Sequence, residues 1–131
     1  MYKRQSDASA SFYTLVPCRV IDTRNADSAL GGPALQAGGA RSFALGGNCG
    51  VPADARAVSL NVTVADATEA GRLTVYPGSG PAPETNTTSF VPGKNRANNL
   101  TIGLIGGILS FLDSQPAGTV NVIVDVNGYY R

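Results

Sequence analysis

Apolar and polar residues alternate with a period of two along most of this chain, and amphipathic-helix spacing is nearly absent. In "AVSLNVTV" the residues Val58, Leu60, Val62 and Val64 face one way, and Ser59, Asn61 and Thr63 the other. "TVNVIVDV" repeats the pattern, with Val120, Val122, Val124 and Val126 on the inward side and Asn121, Ile123 and Asp125 opposite. Shorter runs of the same character are "SFYTLVP", "CRVID", "RSFAL", "RLTVYP", "TTSFVP", "NNLTIGLI" and "ILSFL". Between them lie "GGPALQAGG", "GGNCGVPADA", "PGSGPAPE" and "PGKN", whose glycines, prolines and small polar residues are turn formers. The pattern predicts an all-β domain: eight or nine strands in an antiparallel two-sheet β-sandwich or a jelly-roll-like variant. The one segment with helical character is "ADATEAG", where Asp66 or Thr68 could cap a single turn.

Near the tip of "LIGGIL" the alternation breaks down. Gly106-Gly107 suits a two-residue hairpin turn, because both glycines accept positive φ. Leu104, Ile105, Ile108 and Leu109 then project from both faces, and a sandwich covers only one. The expectation is an exposed apolar patch serving as an interface to a neighbouring domain or a second copy.

With 131 residues the chain is long enough for one hydrophobic core and too short for two. The opening "MYKRQSDASA" falls outside the pattern. It lacks the apolar run of a signal peptide and reads as a scar or disordered lead over residues 1–10, leaving 11–131 as a single domain of a larger protein. Apolar residues make up 43 % and charged residues 15 %, with a net charge of +1. Basic residues are few and scattered, which argues against nucleic acid, and no apolar run reaches transmembrane length.

Histidine is absent, which removes the commonest general base and metal ligand together. Only two glutamates, Glu69 and Glu84, are present, each in a turn-rich stretch, and no carboxylate spacing marks a glycosidase pair. The expectation is a protein that is not an enzyme and has no cofactor. "DVNG", Asp125 to Gly128, matches part of a calcium loop without its later acidic ligands, and reads more simply as a strand running into an Asn-Gly turn.

Cys18 and Cys49 are the only cysteines. A disulfide is the first reading, with two buried thiols as the alternative. Asp22 and Arg24 lie two apart and so share a strand face, together with Cys18 and Val20. Asp125, within the strong C-terminal strand, is a candidate partner for Arg24. A structural ion pair among these three is the first expectation, and a ligand-facing Asp–Arg pair the second. Tyr76, Tyr129 and Tyr130 are the aromatic platforms available for a sugar, or else caps on the core.

The phrases "PCRVIDTR", "CGVPADARAVSLNVTV", "GRLTVYPGSG", "RANNLTIGL" and "VIVDVNGYY", in this order over residues 15–130, resemble a bacterial extracellular module found in secreted proteins of soil bacteria. The resemblance implies a β-rich, secreted or cell-surface domain appended to other domains or repeated beside them. It carries no catalytic residues. "IGLIGGILSFL" departs from it in being more apolar than the expected hairpin. The functional expectation is a non-catalytic structural, display or adhesion module. The alternative is a carbohydrate-binding module that targets an attached enzyme to polysaccharide.

Overall fold

The computed structural model describes residues 10–131, so all but the last residue of the expected lead lies outside the described residues. Among these residues nine strands form: β1 (Phe12–Asp22), β2 (Leu35–Gln36), β3 (Ala40–Ala44), β4 (Ala57–Ala65), β5 (Gly71–Pro77), β6 (Thr88–Phe90), β7 (Arg96–Gly103), β8 (Ile108–Ser114) and β9 (Thr119–Tyr130). No helix is present among the described residues, and "ADATEAG" is an irregular connection in which Asp66 has φ 56°. The first sheet runs β1-β9-β4-β7, with β2 pairing the start of β9; the second runs β3-β8-β5-β6. Every strand pair is antiparallel, and the two sheets face each other as a β-sandwich.

The two best alternating segments are the central strands of the first sheet. Val58, Leu60, Val62 and Val64 of β4 and Val120, Val122, Val124 and Val126 of β9 are all buried, and they meet Leu73, Leu109 and Phe111 of the second sheet. β-Branched side chains suit these positions because they pack well on a pleated, half-buried surface. Phe43 and Phe111 meet edge to face with centroids 5.4 Å apart.

β1 is less regular. Its register against β9 shifts between Thr14 and Cys18 and again between Arg19 and Ile21. Pro17 sits in the first irregularity, where its missing N–H costs no ladder bond, and neighbouring Val16 is 87 % exposed. A bulged, proline-bearing edge strand is a poor template for pairing with other chains. The second bulge inserts one residue, which flips the row that follows. Cys18 lies across from Val126 and Ile21 from Val124, on the inward face, whereas Asp22 pairs with Ile123. Asp22 therefore does not share a face with Cys18, contrary to simple alternation.

The Gly106-Gly107 turn forms as expected, with φ 61° and 77° and reciprocal backbone bonds between Ile105 and Ile108. The strands it joins, however, lie in different sheets: β7 in the first, β8 in the second. Both apolar rows then face the same interior. Leu104 and Leu109 are buried, Ile108 is half-buried, and only Ile105 is exposed, at 65 %. The four-residue apolar patch expected from the sequence does not form. Backbone amides of Leu45 and Gly46 both donate to the Gly107 carbonyl, at 2.8 and 3.2 Å.

The "DVNG" expectation is corrected as well. β9 continues through it, with Gly128 paired to Thr14 on one side and Ser59 on the other. Glycine stands there because the Phe12 ring lies where a Cβ would project.

Candidate functional site

Cys18 and Cys49 form a disulfide with a Cα–Cα distance of 5.8 Å, inside the usual range for this bond. Cys49 lies in a compact turn closed by Gly47 N–H to Val51 O (2.7 Å) and Val51 N–H to Asn48 O (2.9 Å). Its φ of 53° is left-handed, the conformation that lets its side chain reach β1 from this turn. The bond fastens the edge strand to the segment Leu45–Val51, whose end residues are core.

Asp22 and Arg24 do pair, but not as two residues of one strand. The chain turns after Asp22, whose Oδ1 accepts the backbone N–H of Arg24 (3.1 Å) in an Asx-type turn. The Arg24 guanidinium folds back in a two-point contact, Nε to Oδ1 and Nη2 to Oδ2, both 3.0 Å. Arg24, with its side-chain hydrogen bond and charge, holds the Asp22 carboxyl below the usual range against the opposing effect of burial. Asp125 takes no part in this. It accepts from Arg19 instead, Nε to Oδ1 at 2.9 Å and Nη2 to Oδ2 at 3.3 Å. The register explains the partner, because Arg19 lies directly across from Asp125.

The Arg24 side chain is 45 % exposed and that of Asp22 only 8 %. We expect Arg24→Met to destabilise the domain only modestly in denaturant titration, since Asp22 retains a backbone donor and water reaches the vacated side. The variant should also lose the stability that Asp22 gives above its unfolded pKa, which disappears as pH falls through the lower folded value. An unchanged acid limb would contradict the pairing.

The three tyrosines do not converge. Tyr76 lies on β5 and is 4 % exposed, so it offers no platform. Tyr129 and Tyr130 lie at the end of β9, where Tyr129 stacks on Tyr13 (5.1 Å) and Tyr130 tilts against Phe12 (4.9 Å). Neighbours on one strand, they point to opposite faces, and Tyr129 packs on the core.

Three features have no counterpart among the sequence expectations. Arg41 donates to the carbonyls of Ser28 (2.8 Å), Gly32 (3.2 Å) and Pro33 (2.8 Å) while its guanidinium lies 4.5 Å from the Phe43 ring centroid. One side chain thus holds the loop between β1 and β2 against the second sheet.

Asp113 follows Leu109 and Phe111 on the inward row of β8. It is fully buried, and neither carboxylate oxygen has a hydrogen-bond partner among the described residues. Burial lifts its carboxyl to about 6, with the Gln115 backbone amide, outside hydrogen-bond geometry, pulling weakly the other way. Gln115, also buried, donates to Glu69 O (2.9 Å) and Thr119 O (3.0 Å) but leaves its own side-chain oxygen unpaired.

The third feature is a polar cleft of about 360 Å3 between the outer face of β5 and β8 and the connection from β5 to β6. Among the described residues, no group of three or more metal-ligating side chains is gathered.

The arrangement defines the class as a disulfide-fastened antiparallel β-sandwich. Comparison of the chain with protein-family models, with curated proteins and with solved structures gave no match in any of the three.

Proposed function

We propose that this domain is a non-catalytic structural, display or adhesion module of a larger secreted or cell-surface bacterial protein. The observation that carries the reading is the Cys18–Cys49 disulfide, since such bonds persist in oxidising compartments outside the cytosol. The resemblance of "PCRVIDTR" and "VIVDVNGYY" to an extracellular module supports the same location. Ser11 and Arg131 exchange two backbone hydrogen bonds, 3.0 and 3.1 Å, so flanking segments would leave side by side from one end. That geometry suits a module presented at its opposite end, with neighbouring domains or further copies as partners. Recovery of the complete gene tests the reading. An export signal with tandem copies or a surface anchor is expected; a complete frame without an export signal would overturn it.

A second reading, a carbohydrate-binding module beside an enzyme, is favoured by the polar cleft on β5 and β8. A catalytic domain in the same frame would select it.

A further inference from the structure

The connection between Pro77 and Thr88 carries "GSGPAPETNT", whose first seven residues sequence patterning assigns to a turn. In the fold it returns over the outer row of β5 and is latched there at three points. Thr74 Oγ1 donates to Thr85 O (2.6 Å), Val75 N–H donates to Thr87 Oγ1 (2.8 Å), and Thr87 N–H donates to Leu73 O (2.7 Å). At the other end Ser110 Oγ donates to Gly78 O and the Gly78 N–H to Ile108 O. A loop tied to two strands at both ends is a preformed wall, which lowers the ordering cost of binding.

Between this wall and the sheet lies the cleft, its volume near the lower end of the range for small-ligand sites. The sheet side presents Arg72 and Ser114 beside the apolar Leu112, and the loop side presents Glu84 and Asn86. Arg72 and Glu84 line one cleft, yet neither makes an ion pair or side-chain hydrogen bond with any described residue. Their charges cancel, which removes the attraction for phosphates or other strong anions. What is left is a planar five-donor group, a two-oxygen acceptor, an amide with both functions and a hydroxyl with both. Vicinal hydroxyls, each donor and acceptor at once, match that set, and Leu112 supplies a surface for the C–H face of a ring.

We propose that this cleft binds a neutral saccharide, with Arg72, Glu84 and Asn86 as its hydrogen-bonding residues. The proposal rests on the second reading above and moves its ligand away from Tyr129 and Tyr130 to the opposite sheet.

The test is a backbone amide NMR titration of the domain with xylohexaose, cellohexaose, mannohexaose and fully acetylated chitohexaose, each to about 10 mM, a range that captures millimolar affinity. At least one sugar should shift the signals of Arg72, Thr74, Glu84 to Asn86 and Leu112 to Ser114. Arg72→Ala and Glu84→Gln, with dispersed spectra and unchanged melting temperatures, should each weaken that sugar at least tenfold. Shifts confined to Tyr13, Tyr129 and Tyr130 would overturn the cleft while leaving a carbohydrate-binding module in place. No shift with any sugar would overturn both, and undiminished binding by both variants would overturn the residue assignment.

Discussion

Replacing Cys18 and Cys49 together by alanine will lower the unfolding free energy by ~3–4 kcal/mol, measured by denaturant titration against the oxidised wild type. The expectation follows from the 31-residue separation of the two cysteines, which the bond closes into a loop in the unfolded chain. Such a loss is a large fraction of typical domain stability. The native state adds a local reason for the bond. Most residues from Phe12 to Pro17 are exposed, and only Leu15 among them packs against the core. The first half of β1 thus has little apolar burial to hold it on β9, and the disulfide fixes it just where the strand enters the core. Amide exchange should accordingly quicken first in Phe12–Leu15 and in Leu45–Val51 of the double variant. A stability change below ~1 kcal/mol would mean that the bond adds little to a segment already held by pairing.

Stability of the wild type will fall by about 2 kcal/mol as pH rises from 4 through 7, and Asp113→Asn will flatten that decline. The sign follows from the direction of the shift. Asp113 titrates near its ordinary value, 3.8, when unfolded and at about 6 when folded, so the native state holds the proton more tightly. Its contribution is fully present below the unfolded value and is lost as pH rises through the folded one. Burial is the dominant cause, and no charged neighbour offsets it. Leu73 lies across from it on β5, and its backbone bonds go to Gly38 and Gly39. Asp22 acts in the opposite direction on the acid side, because its carboxyl is lowered by Arg24. Asp113 thus moves the stability maximum toward acid, and Asp22 limits how far it moves. Chemical denaturation of both proteins between pH 3 and 8 reads the curve. A wild type equally stable at pH 4.5 and 7.5, or an Asp113→Asn variant that keeps the decline, would contradict the buried carboxyl.

The rows of β4 and β9 were legible because each alternates without interruption and sits between two partners. Alternation fixes their inward face regardless of what surrounds them. β1 was not legible to the same degree. The single insertion before Ile21 leaves no signature in the residues that carry it and moves Asp22 to the other face, while Arg19, ahead of it, lies across from Asp125. The β7–β8 tip failed for a different reason. Two strands joined by a tight glycine turn look like partners in one sheet, while the turn in fact takes the chain from one sheet to the other. Apolar residues that appeared two-faced are then one core seen from both sides.

Asp113 did carry a signal, since it continues the parity of Leu109 and Phe111. A carboxylate at that point instead argues for the end of a strand. The cleft was hidden more deeply. Arg72 lies on β5 and Glu84 on a connection rich in glycine and proline, and only the latch at Thr74, Thr85 and Thr87 makes them line one cleft. The cysteine pair, by contrast, was readable from its isolation, because two thiols and no other leave one intramolecular partner for each.

The segment from Cys18 to Arg24 acts as a set of fasteners, through the disulfide and the Asp22–Arg24 and Arg19–Asp125 pairs, and the bond at Cys18 can be observed directly. Protein folded under oxidising conditions is alkylated, digested without reduction and mapped by mass spectrometry. The expected result is one cross-linked peptide joining Cys18 to Cys49, with no alkylated cysteine until reductant is added. Two alkylated thiols in the folded, unreduced protein would contradict it.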